Sequence, residues 1–174
     1  MHSVIRIARR EQSPKDPPAG HVTKDGPERV SDNRVSEALH RGNKLDQQAS
    51  LLAHAMDVHQ AVAPLLWICL VCLIDLHALE ARVSDIFIAN AGCQVLHRCI
   101  RINARHTAVV EQVCRVVAVM SEPSFTSRTR FMVEKIQDAI HEVCTTHHKL
   151  VGDRTNYMLG RVLKLLPLPP PPSQ

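Results

Sequence analysis

Aromatic side chains are nearly missing from this 174-residue chain. Phe, Trp and Tyr make up 3%, with one Trp, one Tyr and three Phe. Aromatics bury the most area per residue, so a core here must be built from Leu, Val, Ile, Ala, Cys and Met, and modest stability is expected. Glycine is also scarce, at six residues, with none between Gly42 and Gly92. That gap excludes a phosphate-cradling Gly-rich turn across the middle of the chain. Residues 1–12 are basic and lack a long apolar stretch with a small-residue cleavage site, so a secretory signal is not expected. The six cysteines are then expected as reduced thiols, with the cytoplasm as the default compartment. Val4, Ile5 and Ala8 can share a face opposite Arg6, Arg9 and Arg10, as in a mitochondrial presequence; a frayed basic terminus accounts for the same residues. There is no H-E-x-x-H, no G-x-S-x-G and no P-loop.

What the chain does have is an apolar stretch. Residues 61–74, AVAPLLWICLVCLI, are broken by nothing more polar than Pro64. Around this run, hydrophobic residues are 45% and charged residues 22% of the chain, ordinary values for a globular protein. The net charge of +4 permits an acidic partner without requiring one.

Periodicity then sets the expected elements. Residues 1–30 mix Pro, Gly and charge and are expected to be a disordered basic segment. Val35, Ala38, Leu39, Leu45, Ala49, Leu52 and Met56 recur at helical spacing, behind an N-cap at Ser31. Residues 65–90 read as one nearly all-round apolar helix, the type found at a bundle centre or in a membrane. Asp75 and the polar residues after it favour the bundle, and a membrane anchor over residues 65–79 is the alternative. Residues 93–120 carry a face of Leu96, Cys99, Ile100, Val110, Val113, Cys114 and Val117; their β-branched end, 115–120, also suits a strand. Residues 129–151 read as one helix burying Met132, Ile136, Ile140, Val143, His147 and Leu150. A last short helix follows Gly152 and stops at Pro167. The expected fold is mostly α: an irregular bundle of four or five helices over residues 31–166, packed around the central apolar helix, with a polyproline tail over residues 167–174.

Four constellations could carry chemistry. Cys69 and Cys72 form C-x-x-C, and Cys144 with His147 forms a second short-spaced pair; together they are the ligand set of a tetrahedral zinc. Two buried core cysteines and solvated histidines explain the same residues, and no cofactor is expected. Arg98, Arg101, Arg105 and Arg115 form a basic stripe, but no aromatics interleave to stack bases, so nucleic acid is not the expected partner. Asp85 to Gly92, DIFIANAG, resembles the segment that ends a central strand in short-chain dehydrogenases. The family's Gly-rich turn is missing upstream, and the lone Tyr157 lacks the Lys four residues on. The resemblance therefore implies no dehydrogenase chemistry, and Gly92 is expected to cap a helix. Finally, Lys164, Pro167 and Pro170 fit basic-x-x-Pro-x-x-Pro, the pattern docked by Src-homology-type proline-binding domains. A preformed polyproline helix loses little entropy there.

Three functional readings follow. The first is a non-enzymatic helical protein acting through protein–protein interaction, with a proline-binding domain as candidate partner. The second is a membrane-associated protein. The third is the product of a reading frame never selected for a folded, functional chain, which the scattered His and Cys and the orphaned motif fragment would fit.

Overall fold

The computed structural model describes residues 28–168. The chain divides into two units, residues 1–36 and 37–174. Of the first, only residues 28–36 are described, all helical; everything below concerns the second. The expected disordered segment lies outside the described residues except for positions 28–30, which are helical.

Among the described residues there are eight helices and no strand. They are α1 (Glu28–Val58), α2 (Ala63–Leu79), α3 (Val83–Ala89), α4 (Gly92–Ile102), α5 (Thr107–Ser121), α6 (Phe125–Val133), α7 (Ile136–Thr146) and α8 (Asp153–Leu165). The mostly-α expectation holds. The number of helices does not, because three of the long expected helices are each broken in two.

The first break falls after Leu79. Glu80 is extended, α3 turns aside, and Val83 and Phe87 become fully buried. Burying a Val and a Phe is worth about 1.5–3 kcal/mol each, more than the ~1 kcal/mol of each helical hydrogen bond lost. The second break, residues 103–106, separates α4 from α5. Asn103 holds it by donating from Nδ2 to the Gln60 carbonyl at 2.6 Å and the Cys99 carbonyl at 2.9 Å. The third break divides residues 129–151 at Lys135, whose φ is +53°. A left-handed Lys costs roughly 1–2 kcal/mol. The kink is offset by placing Phe131 and Ile136 at zero exposure. It also turns Met132 outward, and Leu150 lies exposed beyond the end of α7, so neither joins the buried stripe expected for them.

The junction of α3 and α4 corrects the expected cap. Ala91, not Gly92, takes the left-handed conformation, with φ +59°. Gly92 opens α4, where a Cβ would run into the ring and carbonyl of Phe87. Glycine is thus required for close approach rather than for its dihedrals.

The sequence 107–121 is helical to its end, with no strand over 115–120. Burial is densest on this helix rather than on α2. Ten residues of α5 are buried, and it packs against α2, α4, α6 and α8. All seven residues of the face expected over residues 93–120 are buried. On α2, by contrast, Leu66, Cys69, Leu70, Leu73, Ile74 and His77 face inward, and the opposite side is open. Pro64 sits in the first turn of α2, where its missing N–H costs nothing.

No described helix is long and apolar enough to cross a membrane. With 17 residues, α2 is about 25 Å long at 1.5 Å per residue, short of the ~30 Å hydrocarbon core. Residues 65–79 are therefore not a span.

The α3–α4 junction yields a paired prediction. Ala91→Gly should raise unfolding free energy by about 0.5–1 kcal/mol, as left-handed strain is relieved against added unfolded-state entropy. Gly92→Ala should lower it by roughly 1–3 kcal/mol through overpacking on Phe87. Urea unfolding followed by circular dichroism measures both. Equal effects of the two changes would contradict this assignment.

Candidate interaction surface

Among the described residues, the outer face of α2 is uncovered and, Asp75 apart, apolar. Pro64, Trp67, Ile68, Cys72, Asp75, Ala78 and Leu79 are exposed, with Val71 half-buried among them. Their spacing of three and four residues is one helical stripe. Trp67 is 42% exposed, Ile68 51% and Leu79 75%. Exposed Leu51 and Val58 of α1 and Val62 of the connecting turn extend the apolar area. Apolar residues gathered on one face mark interaction sites more often than apolar residues scattered singly do.

Two grooves flank the stripe. Near the start of α2, a cavity of about 680 Å³ is lined by Pro64, Trp67 and Ile68 on one side and by Arg105, His106 and Ala108 on the other. Near its end, one of about 490 Å³ is lined by Leu51, Leu52 and Ala55 of α1 with Cys72, Asp75 and Leu79 of α2. The first groove carries a cation at its edge, the second a carboxylate. Among the described residues, no ion pair engages Arg105 or Asp75.

The sequence-predicted metal ligands are not assembled. Cys69 is buried against the core while Cys72 faces outward, because a three-residue step on the edge of the buried face separates inside from outside. Cys144 is buried on α7 beside Cys114 of α5, and the neighbouring thiols push Cys114 up and Cys144 down. His147 is half-buried at the end of α7. Among the described residues, no group of three or more His, Cys, Asp or Glu is placed to hold a metal ion. The Cys114–Cys144 contact had no sequence signal, since the two lie on different helices at no motif spacing.

Two of the four arginines of the basic stripe are paired with carboxylates. Arg98 pairs with Asp57, and Arg101 with Glu142 at 2.9 Å. At the C-terminus, Lys164 is in the last turn of α8 and Leu166 is fully buried. Pro167 is exposed, and Pro170 lies outside the described residues. Docking residues 164–170 as one extended segment would unwind the end of α8 and withdraw Leu166, at about 1.5–3 kcal/mol for that side chain alone.

Two buried features bear on chemistry. His77 Nδ1 lies 2.8 Å from Ser84 Oγ, joining α2 to α3. Both side chains are buried, neither lines a groove described above, and the pair is a packing link between the two helices. Burial pushes the imidazole below its ordinary range. A third cavity, between α3, α4 and α6, is lined by Asp85, Arg130, Glu134 and Cys93. Burial, with the Glu134 carboxylate adding to it, raises the Cys93 thiol to about 12. A thiol held protonated is a poor nucleophile and metal ligand. Glu134 in turn accepts from Gln94 Nε2 at 2.6 Å.

No protein-family model matches the chain, and no curated protein or solved structure is similar to it.

The buried titratable groups set a stability window. His77 and His97 have folded values below the ordinary 6.5, both chiefly through desolvation. Below 6.5 the unfolded chain binds these protons more readily, so stability should fall as pH drops through that value. Cys93 and Cys99 rise from 9.0 to about 12, so stability should also fall as pH climbs above 9. Urea midpoints should therefore peak between these limits, and His77→Gln should flatten the acid limb. An acid limb equally steep in that variant would show that His77 does not contribute.

Proposed function

We propose that this protein is a non-enzymatic helical interaction module. Its helices form a bundle in which α2 is a wall, apolar towards the core and apolar towards a partner. The observation that carries this reading is the uncovered stripe of Trp67, Ile68, Cys72 and Leu79, flanked on both sides by grooves. A helix that needed only to fold would carry polar residues there, because an apolar outer face adds nothing to folding and promotes aggregation. The apolar run is thus explained twice, by the core on one side and by a protein surface on the other. The stripe is read as a helix-on-helix contact, with Trp67 as the buried anchor such interfaces favour.

The polyproline tail from Pro167 onward is a secondary element of this reading. Lys164 sits in α8 and Leu166 in the core, which favours α2 over the tail as the main contact for a partner.

Photo-crosslinking in the cell tests this reading. A benzophenone side chain placed at Ile68 or Leu79 should give discrete adducts with protein, while one at exposed Arg115 should not. Equal labelling from all three positions, or none from any, would remove α2 as an interface. A cooperative thermal melt of the purified chain is expected alongside; a broad, sloping loss of helix would favour the reading of an unselected chain instead.

A further inference from the structure

The geometry points to a second copy of this chain as the partner, docked antiparallel on the α2 face about a two-fold axis passing between Val71 and Cys72. This inference rests on reading that face as an interaction surface, and it adds the occupant and its register.

Charge and shape along α2 are self-complementary when the helix is reversed. Towards the start of the stripe lie the bulky Trp67 and Ile68, with Arg105 and His106 across the groove. Towards its end lie the leucine-lined groove of Leu51, Leu52 and Leu79 and the carboxylate of Asp75. A two-fold axis places residues whose numbers sum to 143 opposite one another. Ile68 then meets Asp75 of the other copy, and Pro64 meets Leu79 of the other copy. The carboxylate arrives at the mouth of the groove that Arg105 borders. Trp67, one step from Ile68, enters the opposing leucine groove. Each of these relations occurs twice, as an isologous interface requires. A parallel arrangement would instead set Asp75 beside Asp75 and Arg105 beside Arg105, a like-charge pairing that costs affinity.

Asp75 gains a cation in this dimer, while in the single chain no described residue pairs with it or with Arg105. The exposed face of a 17-residue helix, roughly 25 Å by 10 Å, is smaller than the ~800 Å² per partner of a standard interface. The flanking grooves enlarge it, and an affinity in the micromolar range is expected.

Cys72 makes the register directly measurable. It is exposed, while the other five cysteines are buried, and it borders the axis. Mild oxidation by a disulfide reagent, with transfer of the two electrons and two protons of a thiol pair to that reagent, should join two copies through Cys72 alone. Trp67, the single Trp, should shift its emission to shorter wavelength as the dimer forms.

Sedimentation velocity on the full chain, from about 2 to 200 μM to bracket a micromolar constant, should show a monomer–dimer equilibrium. Ile68→Asp should leave the melting temperature of the dilute, monomeric chain unchanged and weaken the dimer by at least ~10-fold. Asp75→Arg and Arg105→Glu should each weaken it by about 10-fold, and the double swap should restore it to within about 3-fold. A chain that stays monomeric across the range overturns the inference, as does a dimer indifferent to Ile68→Asp, or a double swap no better than either single change. Photo-adducts from position 68 to a different protein, with the purified chain monomeric, would remove the second copy while keeping α2 as an interface; absence of any adduct would remove both. Binding of the monomer to anionic vesicles in place of self-association would also overturn it.

Discussion

Helix α5 cannot be left facing water, and the fold follows from that constraint. Its buried set includes Val109, Val110, Val113, Cys114, Val116, Val117, Ala118 and Met120, which spans more than one side of a helix. Such a helix has to be enclosed by others. Helices α2, α4, α6 and α8 enclose it, and with few aromatics the enclosure is made by small and branched side chains. Filling that space at native density takes many short elements set at different angles rather than a few long ones. This accounts for the three breaks. The first brings Phe87 and the third Phe131 and Ile136 to zero exposure, while the second is held by the two hydrogen bonds of Asn103.

The breaks also explain what could be read from the sequence and what could not. The apolar faces of α4 and α5 were legible because they follow a strict helical period. The boundary at Pro64 was legible because that residue acts through local sterics, and so was the start of α8 after Gly152, although α7 already ends at Thr146 and Gly152 does not stop it. The kinks at Lys135 and Ala91 were not. Neither residue favours a positive φ, and the energy that holds them there comes from the burial of neighbours. Local propensity carries no trace of such a term. Glu80 is similar: it ends α2 with neither glycine nor proline beside it.

The candidate surface was half legible. The apolar run from Ala61 to Ile74 was obvious, but a run that is apolar on all sides has no periodicity to say which side meets the core. By sequence alone such a run belongs at the centre of a bundle. The tertiary structure gives that place to α5 and leaves Trp67, Ile68 and Leu79 outside. The cysteine and histidine pairs were misleading for the opposite reason. Spacing such as C-x-x-C is a local property, whereas ligand assembly needs helices to converge. Here Cys69 and Cys72 diverge across the edge of one helix, and Cys144 meets Cys114 instead.

That distribution of sulfur has a practical corollary. One thiol of six stands in solvent while five are shut among the helices, four of them pushed up from the ordinary thiol range, Cys93 and Cys99 to about 12. In the separate chain, an alkylating reagent finds Cys72 immediately and the others only when the helices part. The molecule thus times its own opening, one label marking the intact state and each later label recording which layer has come apart.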